Sequence, residues 1–246
     1  MKGISLIIFC WIGFISCSKD DKKTASNQFD NTPLAKSNYN NSNYGIYKGV
    51  FIGSSGNVVI NVNNDNSLSA TLKINGAETN YASSQIVTQN QPSTITFTNG
   101  SNSFQFNSNA SGSNTGISNI IIGGHPYPGI SVLKEKSDSL VKCFEGTFKE
   151  NVTNGATGTL NWQLKGAVIS GLIVEEGAVW PPYITIGTLN GNQINGSCPY
   201  DPIVHLPQCT YGGTTLSGSL SADGNHMTGT FSNCYGSGTW KADRTR

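Results

Sequence analysis

Apolar residues in this chain recur at every second position over short runs, and turn-forming pairs separate many of these runs. Val58, Ile60 and Val62, for example, fall on one face of such a run. A period of two is the spacing of a half-buried antiparallel strand. Asn-Gly and Asp-Gly pairs, which accept the positive φ angles of tight hairpins, occur at Asn75-Gly76, Asn99-Gly100, Asn154-Gly155, Asn190-Gly191 and Asp223-Gly224. Beyond the N-terminal apolar segment no ten-residue run has helical spacing, so the sequence predicts an all-β protein of about 16 strands.

A weak internal repeat divides these strands into two sets. The pattern Tyr47-x-Gly49-x-Phe51 recurs as Phe144-x-Gly146-x-Phe148. The strands that follow also correspond, as Gly56-x-Val58-x-Ile60-x-Val62 with Gly158-x-Leu160-x-Trp162-x-Leu164, and Ala70-x-Leu72-x-Ile74 with Ile169-x-Gly171-x-Ile173. We therefore predict two tandem antiparallel β units of about eight strands each, with duplication as one origin and a single continuous β domain as the alternative. The predicted first unit is 45–136, the linker is 137–141, and the second unit is 142–246.

Glycines in the middle of predicted strands favour small barrels over flat sandwiches. Glycine inside a strand marks a bulge, a strongly coiled strand or a close neighbour. The last strand, around Trp240, is expected to pair with the strand from Phe144 to Phe148 and to close the second unit, with Trp162 and Trp240 in its core. Strands of the Gly-x-Trp type give this unit a generic resemblance to lipocalin-like and avidin-like barrels, and the resemblance implies no binding residue.

The N-terminus has the layout of a secretory signal. A short positive start at Lys2 precedes an apolar run that ends at Ser16-Cys17, and the run is shorter than the roughly 20 residues that a membrane-spanning helix needs. A small residue before Cys17 resembles the lipobox of bacterial lipoproteins, which implies a signal peptide over 1–16 and a diacylglycerol on Cys17. The alternatives are an ordinary signal peptide with a chance cysteine and a single N-terminal anchor helix.

The residues after Cys17 extend this resemblance. Ser18-Lys19-Asp20-Asp21 resembles the signal that directs Bacteroidota lipoproteins to the outer surface of the outer membrane. The resemblance implies a surface protein whose membrane partner is its own lipid anchor; the alternative is a plain solvated tether. Polar composition predicts that 17–44, with its lipidated Cys17, is a disordered tether.

Four cysteines remain after the signal and the anchor, all in the C-terminal half. An even set in a secreted chain predicts disulfides, and we expect Cys198–Cys209 and Cys143–Cys234 among the three pairings that four cysteines allow. A metal site is the alternative. No two of these cysteines have C-x-x-C spacing and the histidines share no motif, so no metal is expected.

Charge and motifs exclude several classes of function. Removal of residues 1–16 takes away Lys2 and leaves basic and acidic residues equal in number, so nucleic acid is not an expected partner. No catalytic or nucleotide-binding motif is present, and Glu175 and Glu176 are expected to point to opposite faces of a strand. We therefore expect no cofactor and no enzymatic activity, with a hydrolase that draws carboxylates from distant strands as the least favoured alternative.

Proline-stiffened loops with aromatic residues are the candidate binding sites. One is 178–183 and another is 198–211; a third, 123–129, reads Gly-Gly-His-Pro-Tyr-Pro-Gly. The predicted ligand-binding residues are Trp180, Tyr183, Tyr200, Asp201, His205 and Tyr211. The structural alternatives are a hydrophobic plug at a barrel end, a disulfide-tied cap and an ordered turn.

Asp138-Ser139-Leu140 resembles the acceptor motif of Bacteroidota O-glycosylation, which implies a glycan on Ser139. For the whole chain, we expect a surface-anchored, non-enzymatic module that binds a glycan or another extracellular ligand. The alternative is a structural accessory protein that docks another outer-membrane protein.

Overall fold

The computed structural model of the protein describes residues 29–198, 213–233 and 236–246. These ranges contain sixteen strands and one short 3-10 helix, Ser37–Tyr39. The first eight strands are β1 Gly45–Ile52, β2 Gly56–Val62, β3 Leu68–Ile74, β4 Ala77–Ala82, β5 Ser93–Asn99, β6 Asn102–Ser108, β7 Gly116–Ile121 and β8 Gly129–Lys134. The others are β9 Val141–Glu150, β10 Thr157–Lys165, β11 Val168–Glu175, β12 Tyr183–Asn190, β13 Gln193–Cys198, β14 Thr214–Leu220, β15 His226–Asn233 and β16 Gly236–Arg244. The described ranges hold no helix of the length and apolarity that crossing a bilayer demands.

The first unit is an eight-stranded antiparallel sheet that curls almost into a barrel. Its order is β7-β6-β5-β4-β3-β2-β1-β8, so β8 bonds to β1 and a seam remains between β7 and β8. At the seam, the Thr115 hydroxyl donates to the Val132 carbonyl at 2.8 Å. Side chains from all round the sheet fill the interior, including Tyr47, Phe97 and Phe104, which are completely buried.

The second unit is a closed barrel, β10-β11-β12-β13-β14-β15-β16-β9. As expected, the last strand closes it, with Trp240 paired to Phe148 and Arg244 to Phe144. Trp162 and Trp240 meet edge to face in the core, with their ring centroids 4.7 Å apart. The all-β prediction with two eight-stranded antiparallel units is confirmed.

Strand pairing supports the internal repeat at its first two strands. Gly49 pairs with Val58 in the first unit, and Gly146 pairs with Leu160 in the second, as the aligned patterns require. The third strands do not follow the predicted alignment. Because Val58 pairs with Leu72 and Leu160 pairs with Ile173, Leu72 corresponds to Ile173, two residues from its predicted equivalent.

The prediction of a disordered tether up to residue 44 is wrong for its described part, 29–44. Ser42 and Asn43 are buried, and the Asn43 side chain donates to the Thr88 carbonyl at 2.9 Å. The buried Lys134 ammonium donates to the carbonyl oxygens of Ser42 and Tyr44. Burial, with a smaller contribution from nearby lysines, lowers the pKa of Lys134 to about 8. The segment closes one end of the first unit through polar contacts. Because polar contacts need no regular spacing of apolar residues, nothing in the sequence indicated that this segment is ordered.

The two units pack side by side across β1. Tyr47 and Phe51 of β1 face the core of the first unit, so the alternate residues Val50 and Ile52, also completely buried, lie on the face toward the barrel. The interface is rich in polar groups. Asn161 on the barrel exterior donates to the Phe51 carbonyl at 2.7 Å.

The predicted linker is an ordered turn at this interface. The backbones of Lys136 and Ser139 pair as an isolated antiparallel β-bridge. Strand β9 then begins at the completely buried Val141. The chain therefore passes from one unit to the other without a flexible segment.

The direction of the strands defines two distinct ends of the two packed units. At one end, the Arg244 side chain donates to the Asp30 carbonyl, so the described N-terminus and the end of β16 meet there; we call this the N-terminal end. The opposite end carries the turn after β1, the loop 122–128 and the turn between β11 and β12. We call it the groove end.

Candidate binding groove

A groove of about 560 Å³ opens at the groove end, where the two units diverge. Its lining includes Gly53, His125 and Tyr127 from the first unit, and strands β9 to β11 with the turn after Glu175 from the second. Towards the N-terminal end, the same outer face of the barrel is covered by β1, through contacts such as that of Asn161. The groove is therefore the open continuation of the interface between the units.

The floor of the groove is rich in hydroxyl groups. Thr147 pairs with Thr159, and both residues line the groove. They alternate with the core residues Phe148 and Leu160, so their side chains lie on the barrel exterior. These hydroxyls supply both donors and acceptors to a polar ligand.

The wall from the first unit consists of the loop that contains His125, Pro126 and Tyr127. The His125 ring lies edge to face on Phe51, with the centroids 5.2 Å apart. Its Nδ1 is 3.2 Å from the Gly53 carbonyl. Tyr127 is 41% exposed, so an aromatic ring stands at the groove with much of its surface open to a ligand.

Two carboxylates line the groove with different partners. Glu176 accepts a hydrogen bond from the Thr157 hydroxyl at 2.7 Å. Burial raises the pKa of Glu175, and the negative charge of Glu150 adds to the shift. The sequence argument placed Glu175 and Glu176 on opposite faces of a strand, and both residues contribute to the groove lining. Lys149 provides a cation in the same lining.

Two of the predicted ligand-binding residues, Trp180 and Tyr183, lie just beyond this lining. Both are half-buried, and the Trp180 indole nitrogen is enclosed without a hydrogen-bond partner among the described residues. Between them, Pro182 lies against Gly129, where an added Cβ would meet the proline Cγ at 2.5 Å. The loop therefore packs on the first unit and supports the groove from one side.

The other predicted ligand-binding residues, Tyr200, Asp201, His205 and Tyr211, lie outside the described residues. The strands that flank their segment are described. Cys198 at the end of β13 pairs with Thr214 at the start of β14, at the groove end of the barrel.

Neither of the two cysteines within the described ranges forms a disulfide there. The thiol of Cys143 is buried and donates to the Gly49 carbonyl at 3.3 Å, and burial raises its pKa to about 12. Burial also raises the pKa of Cys198 to about 12. The expected partners, Cys209 and Cys234, lie outside the described residues.

Ser139, the predicted glycosylation site, lies in the tight turn between the units and is half-exposed beside the exposed Asp138. No group of three or more potential metal ligands occurs in the part of the chain that the structure describes.

The sequence indicated the loop 123–129 as a candidate, but neither His125 nor Tyr127 was among the predicted ligand-binding residues, and Thr157 and Thr159 were missed. The Pro-Tyr-Pro pattern around Tyr127 was the available signal. The threonines gave no such signal, because threonine is common on the exposed faces of strands and does not mark a binding site. No protein-family model, curated protein or solved structure matches the chain.

Proposed function

We propose that the protein is a non-enzymatic binding module on the bacterial outer surface, anchored in the outer membrane through a lipid on Cys17. Its ligand is a glycan, or another extracellular molecule rich in hydroxyl groups, bound in the groove between the units. The observation that carries this proposal is the exposed Tyr127 ring beside a hydroxyl-rich floor. For the anchor, Cys17→Ser is expected to abolish metabolic labelling with palmitate, and unchanged labelling would reject it.

The groove chemistry suits a sugar. An aromatic face stacks on the apolar face of a sugar ring, while Thr147, Thr159 and the carboxylate of Glu176 can bond its hydroxyl groups. The interiors of both units are packed with side chains, among them Phe104 in the first and Trp162 in the second. The outer groove is therefore a better place for a ligand than the interior of either unit.

The direction of the groove supports surface binding. The described chain begins at the N-terminal end, where Asp30 contacts Arg244, and the groove opens at the opposite end. A lipid anchor at Cys17 would join the described chain at the end opposite the groove, an arrangement that favours a groove facing away from the membrane. Extracellular ligands can then reach it without passing the lipid headgroups.

A second candidate function is docking to another envelope protein, and one observation favours it. Ile184 and Ile186 on β12 are 64% and 50% exposed, and Val168 on the adjacent β11 is 55% exposed. Apolar side chains grouped on one outer sheet face are a common feature of protein interfaces.

A glycan-array screen tests the leading proposal. The wild-type protein is expected to bind a restricted set of glycans, and Tyr127→Ala should lower the affinity for that set at least about tenfold, equivalent to about 1.4 kcal/mol. Ile86→Ala is the control, because this 97% exposed side chain lies outside the groove lining. Absence of glycan binding would refute a glycan as the ligand, and equal binding by Tyr127→Ala would refute the groove as its site.

A further inference from the structure

Three ionisable side chains meet at the N-terminal end of the interface, far from the groove. The Lys48 Nζ lies 2.9 Å from the Glu135 Oε2 and 3.6 Å from the Asp30 Oδ2. Lys48 belongs to β1, Glu135 follows β8, and Asp30 belongs to the N-terminal segment. The side chains of Lys48 and Glu135 are 0% exposed, and that of Asp30 is 41% exposed.

Lys48 is poorly satisfied as an ammonium ion. An ammonium group has three N–H donors, yet the Lys48 Nζ makes no hydrogen bond of acceptable geometry to any described residue. The short distance to Glu135 is thus a charge contact without hydrogen-bond alignment. Such a buried ion pair recovers its desolvation cost only when its hydrogen bonds are also made.

Glu135 is held in place beside the lysine. Its Oε1 accepts from the Leu34 backbone N–H at 2.6 Å, and its Oε2 accepts from the Val141 N–H at 3.2 Å. A fixed carboxylate in contact with an amine is suited to take a proton from it and to return that proton to a leaving group.

Asp30 is also held, through its own backbone and its neighbours. The Arg244 guanidinium donates to the Asp30 carbonyl and to the Asn31 side chain at 3.3 Å. It also lies over the Phe29 ring, 5.0 Å from the centroid. The carboxylate is therefore presented to Lys48 by a segment tied to the second unit, and such positioning favours an intramolecular reaction.

We propose that Lys48 and Asp30 form an intramolecular amide bond, with Glu135 as the proton carrier. Glu135 takes a proton from the Lys48 ammonium and passes it to the Asp30 carboxylate. The free amine lone pair then attacks the Asp30 Cγ to form the C–N bond. The Cγ–O bond breaks, and the oxygen leaves as water with a second proton from the nitrogen, again carried by Glu135. One ammonium and one carboxylate give one amide and one water, and Glu135 ends ionised as it began.

The product resolves the poor satisfaction of Lys48. An amide nitrogen has a single N–H, which Glu135 is placed to accept, and the Glu135 carboxylate keeps the N–H donors of Leu34 and Val141. The bond also joins the N-terminal segment covalently to β1, the strand between the two units. A force applied to the N-terminus is then transmitted to β1 through a covalent bond, and the segment cannot detach from the fold.

Peptide mapping of the purified, reduced and denatured full-length protein tests the proposal. The peptides that contain Asp30 and Lys48 should appear as one branched species, lighter by one water than their sum, with no cleavage by trypsin at Lys48. Tandem mass spectrometry should place the bond between these two side chains. Separate, unmodified peptides from the wild-type protein would overturn the proposal.

Variants assign the roles of the three residues. Asp30→Ala removes a partly exposed acceptor and should abolish the branched species while leaving the fold intact, which circular dichroism checks. Lys48→Arg should abolish it too. Glu135→Gln should slow its formation at least about tenfold in time courses after refolding, because proton carriage contributes about 10²–10⁴-fold. A branched species that persists in Asp30→Ala would overturn the assignment of the acceptor.

Discussion

Buried polar residues between the units, rather than the apolar cores, distinguish this molecule at the scale of single residues. Asn161 and Gln163 are completely buried on the outside of a barrel. Gln163 contacts the hydroxyls of Ser131 and Ser170 at 2.7 Å and 3.0 Å. A buried polar group costs free energy unless it is paired, so these residues are matched to one arrangement of the two units.

Cys143 is also buried between the two units, and its burial predicts a thiol of low reactivity. Because burial raises its pKa to about 12, the thiol stays protonated near neutral pH and has little nucleophilic character. We expect iodoacetamide to leave Cys143 unlabelled in the native protein and to label it after denaturation without a reductant. Mass spectrometry of the labelled peptide measures both. Labelling that required a reductant would instead support the expected disulfide to Cys234.

Two tryptophans are predicted to differ in their contribution to stability. Trp162 is 1% exposed in the barrel core, so Trp162→Ala should lower the free energy of unfolding by about 3–5 kcal/mol. Trp180 is half-buried in its loop, and Trp180→Ala should lower it by about 1–2 kcal/mol. Denaturant unfolding followed by circular dichroism compares them. Equal losses would show that Trp180 is a hydrophobic plug packed as tightly as the core. No loss would show that its ring makes no stabilising contacts and is free to bind a ligand.

At the scale of strands, glycine allows the tryptophan core to form. A Cβ at Gly229 would meet the Trp240 Cζ2 at 2.5 Å and collide with the Ser217 carbonyl. Bulkier residues would therefore push the ring or the neighbouring strand away. Glycines inside these strands favour a barrel because they leave room for the tryptophan ring and for close approach of the neighbouring strand.

A pair of glycine substitutions tests this explanation. Gly229→Ala should lower the free energy of unfolding by about 1–3 kcal/mol, as overpacking does. Gly116→Ala is the matched control, because its added Cβ meets nothing within 4 Å, and it should change stability by less than about 0.5 kcal/mol. Urea denaturation measures both. Similar effects of the two substitutions would contradict the packing argument.

The strands were predictable because alternation and turn residues are local signals. Val58, Ile60 and Val62 alternate in the sequence and are completely buried in the core. The groove was not predictable in this way, because it depends on how the units pack. Thr157 and Tyr127, for example, come from different units and meet only through the interface. The N-terminal segment was also missed, since Asn43 is held by hydrogen bonds that carry no periodicity.

At the scale of the whole molecule, the interface should make the two units unfold together. The Asn161 amide donates to Phe51 in the other unit, and the completely buried Val50 faces the same interface. We expect a single transition in differential scanning calorimetry. Asn161→Ala leaves the Phe51 carbonyl without this donor, and should lower the melting temperature of that one transition. Two well-separated transitions in the wild-type protein would show that the units are independent.

The central claim is that ligand binds in the groove between the units, and hydrogen exchange measures this directly. The wild-type protein is compared with and without the glycan that binds most strongly in the array. We predict slower amide exchange at 123–129, 147–149 and 174–178, the segments that surround the groove, with little change on β12. Protection confined to β12, or a complex without protection at these segments, would contradict the account.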